Sequence, residues 1–169
     1  RQMQRLGLDV TGVMTKSAAQ FITPLSVAAL TNQKCYDDLF SLTDEAEMGH
    51  IRLARSADLV LVMPATANLM ARAAAGLADD LATTILLATT APVLMAPAMN
   101  PAMWTHPATS ANLTILQQRG VHMIGPTEGD TACGEIGSGR MSEPADIAAA
   151  AYQLAVKRPR LLAGKTAIV

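Results

Sequence analysis

The chain has 169 residues, half of them hydrophobic but only 3% aromatic, with a formal net charge of −1. That is one domain's worth of chain, with an interior of alanine, leucine, methionine and valine. No basic block marks a nucleic-acid surface, and two cysteines without CxxC spacing argue against a disulfide framework or zinc site and fit a reducing cytosol.

Residues 1–6 read as the end of an amphipathic helix stopped by Gly7. Residues 9–14 read as a short apolar strand. After Thr15 and Lys16, Ser17 is a candidate cap for a helix towards Leu30 that restarts near Pro24. Residues 34–40 are a weaker strand, with Cys35 as an inert buried thiol. Asp44 and Glu47 resemble a capping box for a helix through His50 to about Arg55.

Residues 57–63 contain Leu-Val-Leu-Val, a buried strand, followed by the loop Pro64-Ala65-Thr66-Ala67-Asn68. An alanine-rich helix then runs to Ala75 and breaks at Gly76, and Asp79 opens another through Leu87. Residues 92–96 form the next strand, with the loop Pro97-Ala98-Met99-Asn100 after it and one helix to about Arg119. The uncharged run 81–99 divides at Pro92 and Pro97 into helix end, turn and strand, so no membrane span is read there. Residues 121–124 are a further strand, and Pro144 opens a helix to about Val156. Apolar strands alternating with helices predict a three-layer α/β fold. Its form is a flavodoxin-like or Rossmann-like parallel sheet with helices on both faces.

Such sheets usually begin with a strand and its phosphate loop, whereas the first element here is a helix tail. The reading therefore treats residues 1–157 as one domain missing its N-terminal strand. Residues 158–169 are expected to be a linker and the first strand of a following domain.

The loops that leave the carboxyl ends of strands are the expected ligand crevice. They are Thr15 to Ser17, Pro64 to Asn68, and Pro97 to Asn100. Their small residues admit a flat ring, and helix N-termini suit a phosphate. No GxGxxG fingerprint is present. His50 is either a proton carrier or an ordinary helix residue. Five of the eleven glycines fall between Gly125 and Gly139, around Cys133 and just before Arg140. That segment reads either as a mobile flap bearing a reactive thiol or as a plain glycine-rich hairpin.

Taken in order, five motifs resemble the flavin-containing cysteine decarboxylases. They are Met48-Gly49-His50-Ile51, Pro64 through Asn68, Gly76-Leu77-Ala78-Asp79-Asp80-Leu81, Pro97-Ala98-Met99-Asn100 with Met103, and Ala132-Cys133-Gly134 through Gly139-Arg140-Met141. The resemblance covers most of residues 9–145 and is greatest to the branch acting on 4'-phosphopantothenoylcysteine in coenzyme A biosynthesis. It implies bound FMN and loss of carbon dioxide from a C-terminal cysteine unit through thioaldehyde and ene-thiolate intermediates.

Carried over by position, the resemblance makes His50 the base, Asn100 the holder of the substrate carboxylate, and Cys133 the final proton donor. Arg140 and Met141 would close on substrate. Thr15, Ser17, Thr66, Ala67, Asn68 and Ala98 would hold FMN. It also implies a cytoplasmic homo-oligomer built from trimers, flavin at the subunit interface, and a fused synthetase domain, with neither nucleic acid nor membrane as partner. The family's first strand and glycine-rich flavin loop have no counterpart here. Rival readings are a peptidyl-cysteine decarboxylase, a flavin prenyltransferase and a flavin-binding non-catalytic regulatory subunit.

Overall fold

The computed structural model describes residues 1–39, 49–130, 134–156 and 166–168. Helix α1 (Gln2–Arg5) leads to strand β1 (Asp9–Thr11), a 3-10 turn at Ala18–Gln20, and helices α2 (Pro24–Thr31) and α3 (Gly49–Ser56). Strand β2 (Leu59–Ala65) is followed by α4 (Ala67–Ala75) and α5 (Leu81–Ala88). Strand β3 (Val93–Pro97) is followed by α6 (Pro101–Thr105) and α7 (Pro107–Gln118). Then come β4 (His122–Met123), β5 (Thr127–Asp130), β6 (Ile136–Arg140), α8 (Pro144–Val156) and β7 (Thr166–Ile168).

Five strands form one sheet in the order β1-β7-β2-β3-β4, and every pair in it is parallel. The apolar strand β2 faces helices on both sides. Because side chains alternate along a strand, Leu59 and Leu61 pack with Leu8, Ile147 and Ala151 under α8. Val60 faces the opposite layer, with Ala54, Leu81 and Ile85 from α3 and α5. Val62 joins Met70, Met95 and Leu116 under α4 and α7. These are the three expected layers.

Several local expectations change. The single helix read after Asn100 is two, because His106 turns to an extended conformation and its Nδ1 accepts the Ala108 N–H at 3.1 Å. Pro107 then occupies the first helical position, where a missing N–H costs nothing. Ser17 caps nothing with its side chain; Thr15 Oγ1 accepts the Ala18 N–H at 3.1 Å instead. Residues 34–39 form no strand, only an isolated bridge between Val13 and Tyr36. Cys35 is half-buried, and burial first, then the nearby Asp37 charge, push its thiol pKa up, so it stays protonated. The Asp44–Glu47 capping box lies outside the described residues. Thr166–Ile168 forms β7, paired between β1 and β2.

Candidate active site

Three loops leave the carboxyl edge of this sheet. The β2 strand runs to Ala65 and α4 starts at Ala67, so the loop read as Pro64 to Asn68 shortens from both ends to Thr66. Thr66 is extended and caps α4, its Oγ1 accepting the Leu69 N–H at 3.3 Å. The Ala98 N–H donates to the Ala65 carbonyl at 3.1 Å, stitching the β3 loop to the β2 loop. Thr66 and Asn68 are exposed, and Ala67, Ala98 and Thr15 are half-buried.

These positions offer hydroxyl, amide and backbone N–H donors with small side chains between them, and no carboxylate. The first N–H groups of a helix lack intrahelical acceptors and favour anions. The donor set therefore fits a phosphorylated ring ligand. Ser17 is exposed beside Thr15 on the β1 loop, with β7 between that strand and β2.

Asn100 ends the β3 loop and caps α6. Its Oδ1 accepts the Ala102 N–H at 2.8 Å, and Pro101 fills the first helical position. Pinning the oxygen fixes the amide plane, so Nδ2 faces away from the helix and donates to Glu135 Oε2 at 2.6 Å. Glu135 belongs to the glycine-rich segment, whose β5 and β6 form an antiparallel hairpin. The hairpin sits directly on the β3 loop, where the Met99 N–H donates to the Gly139 carbonyl at 3.0 Å. Gly139 has φ +156°, and a Cβ there would collide with the Met99 carbonyl oxygen. Glycine is needed at this contact, for conformation and for space.

Other candidates are more dispersed. Cys133 lies outside the described residues. The Arg140 guanidinium pairs with Glu143 at 2.5 Å, and both groups are exposed, so the pair binds weakly. Met141 is half-buried and packs against the cluster beneath α8. His50 is half-buried in the first turn of α3. A crossover helix runs antiparallel to its strands, which puts that turn at the carboxyl edge of the sheet.

Sequence reading missed the clamp behind α4. Arg72 Nη1 reaches Asp80 Oδ2 at 2.9 Å, and Nη2 bonds Asp79. Asp80 and Thr83 form a reciprocal capping box on α5, a pattern the Asp-x-x-Thr spacing does contain. The Asp79–Asp80 pair is thus a helix start, and among the described residues no three acidic, cysteine or histidine side chains gather as a metal site would need.

Burial pushes the Asp80 carboxyl upward. Hydrogen bonds from the Thr83 N–H, Arg72 and the Thr83 hydroxyl outweigh it and hold the pKa below the usual carboxylate range. The Arg72 hydrogen bond lowers Asp79 in the same way. Depressed folded-state values stabilise the fold above the unfolded value of about 4, and the contribution is lost as pH falls through the folded one. Arg72→Met should therefore lower Tm at neutral pH, with the gap to wild type closing on acidification below about pH 4. Thermal unfolding across that range checks this, and a gap independent of pH would refute it.

Comparison with known proteins gives a consistent picture. The flavoprotein family profile matches residues 1–155. The coenzyme A biosynthesis bifunctional protein CoaBC of Escherichia coli is 50% identical over 147 residues, covering 87% of this chain and 36% of that protein. The Vibrio vulnificus CoaBC is 46% identical over 159 residues, covering 94% of this chain and 40% of that one. The chain spans about two-fifths of the length of these curated relatives.

Among solved structures, a cysteine-to-serine mutant of PPC decarboxylase complexed with pantothenoylaminoethenethiol aligns with TM-score 0.74 and 32% identity. That match covers 88% of this chain and 89% of the other. The FMN-dependent cysteine decarboxylase SpaF aligns with TM-score 0.71 and 26% identity, covering 87% and 95%.

Proposed function

The chain belongs to the flavoprotein family, and from that premise we propose that it is the FMN-dependent decarboxylase part of a bifunctional coenzyme A biosynthesis protein. Its reaction converts 4'-phosphopantothenoylcysteine to 4'-phosphopantetheine, with a synthetase domain fused in the parent chain. The observation that carries this reading is Asn100. A helix cap fixes its amide so that the donor face meets a carboxylate at the carboxyl edge of the sheet.

A carboxylate beside CH2–SH has no electron sink. Bound FMN supplies a reversible two-electron acceptor that lets the thiol carbon reach the thioaldehyde level and return. The chain's residues do the rest. Thr66, Ala67 and Asn68 at the start of α4, with Ala98, Thr15 and Ser17, hold the cofactor. His50 accepts the proton released as the thiol carbon is oxidised. Asn100 orients the substrate carboxylate, and Cys133 returns a proton to the ene-thiolate. Arg140 exchanges its weak Glu143 partner for substrate, and Met141 closes beside it.

The test is carbon dioxide release from 4'-phosphopantothenoylcysteine by the yellow, flavin-loaded protein. The likeness to SpaF, an FMN-dependent cysteine decarboxylase, leaves a second reading, decarboxylation of a peptide's C-terminal cysteine. Turnover of such a peptide alone, with none of the pantothenoyl substrate, would overturn the first reading in favour of the second.

The assembly reading is a trimer-based homo-oligomer, cytoplasmic, with His50 acting on a neighbour's flavin. It is supported by an apolar face: Phe21 is 92% and Leu25 79% exposed, and α2 buries none of its residues. This face adjoins the Thr15 to Ser17 loop. Leu25→Glu is expected to yield monomers in light scattering that release FMN on gel filtration. A variant retaining the wild-type mass would remove α2 from the subunit contact. Among the described residues no helix is long and apolar enough to cross a membrane.

A further inference from the structure

We propose that Glu135 is a resident competitor that holds the substrate-carboxylate position on Asn100 until substrate displaces it. The inference rests on the proposed role of Asn100 and adds a specificity-determining residue to it.

Three observations carry it. First, the amide of Asn100 cannot turn away, because its oxygen is committed to the Ala102 N–H at 2.8 Å. The group it presents is an N–H donor, whose natural counterpart is an anionic acceptor. Second, that acceptor is already present. Glu135 Oε2 lies 2.6 Å from Nδ2, a charge-assisted hydrogen-bond distance, and its chemistry is that of the substrate carboxylate. Third, the two ends of the hairpin are held differently. Its base is fixed backbone to backbone at Met99 and Gly139, and Gly137 lies against Pro101. Towards the tip, Gly134, Glu135 and Ile136 are exposed, Ile136 by 82%. Glu135 can therefore leave Asn100 without disturbing the sheet.

Two carboxylates cannot share one amide donor face without repelling each other, so substrate binding and the Glu135 contact exclude one another. The exchange is nearly balanced for a ligand with a carboxylate. A ligand lacking one, such as the decarboxylated product, needs no donor from Asn100 and binds with the Glu135 contact intact. The resident carboxylate therefore weakens the substrate's hold on the site without weakening the product's.

The experiment compares wild type, Glu135→Ala and Asn100→Asp in the flavin-loaded protein. It measures KM for 4'-phosphopantothenoylcysteine and the inhibition constant of 4'-phosphopantetheine. Removing one competing hydrogen bond should lower the ratio of these two constants about five-fold in Glu135→Ala. An unchanged or raised ratio in Glu135→Ala, beside an impaired Asn100→Asp enzyme, would overturn the competitor role alone. A wild-type Asn100→Asp enzyme would overturn the Asn100 reading and the competitor role with it.

Discussion

Asn100→Asp is expected to lower kcat/KM about a thousandfold while leaving Tm nearly unchanged. Aspartate caps a helix as well as asparagine does, so an oxygen can still accept the Ala102 N–H and α6 should form. The other atom changes from donor to anion. A charge-assisted hydrogen bond of about 2 kcal/mol is lost, and a like-charge contact costing a further ~2 kcal/mol takes its place. At 1.4 kcal/mol per factor of ten, the sum is about three decades. Asn100→Ala should lose activity too, but with about 1 kcal/mol of stability, because the cap goes with it. Steady-state kinetics paired with thermal unfolding separates the two variants. Full activity in Asn100→Asp would take this residue out of carboxylate recognition.

Gly139→Ala is expected to be the most destabilising single methyl addition in the hairpin, by about 3 kcal/mol or more. Two costs combine. Backbone at φ +156° is nearly closed to residues with a Cβ, and the new methyl meets the Met99 carbonyl oxygen, a backbone atom that cannot swing aside. Gly134 is the internal control. It too has positive φ, +78°, but a Cβ there meets nothing within 4 Å. Gly134→Ala should therefore cost only about 1 kcal/mol. Urea unfolding of both variants measures the difference. Equal costs would mean that the hairpin base does not bear on the β3 loop at this point.

How far the residues foretold the fold depends on whether each signal is local. The Leu-Val-Leu-Val run needs no partner to be recognised as doubly buried, and its alternating side chains do fill two layers. Pro144 and Val156 bound α8 as expected, because a proline start and an alanine-rich body act within the helix itself. The break at His106 was not legible. His-Pro looks like tolerable helix text until the imidazole is seen capping a new turn.

The candidate site divides the same way. Thr66 and Asn100 sit at strand ends, and parallel topology brings strand ends to one edge. Glu135 meets Asn100 across 35 positions. No spacing rule reaches that far, and an exposed glutamate in a glycine-rich segment carries no signal of its own. Arg72 was equally silent, since its two aspartates lie on a different helix start.

The doubly committed amide at the head of α6 has one more implication. A side chain immobilised by its own helix surrenders its rotamer freedom while the protein folds, so an arriving ligand has nothing there to order. Recognition at that point is prepaid and rigid, and adaptability is left to the chain opposite. Retargeting this site to an uncharged ligand would therefore mean rebuilding the turn itself, since the direction of the donor and the start of the helix are one and the same choice.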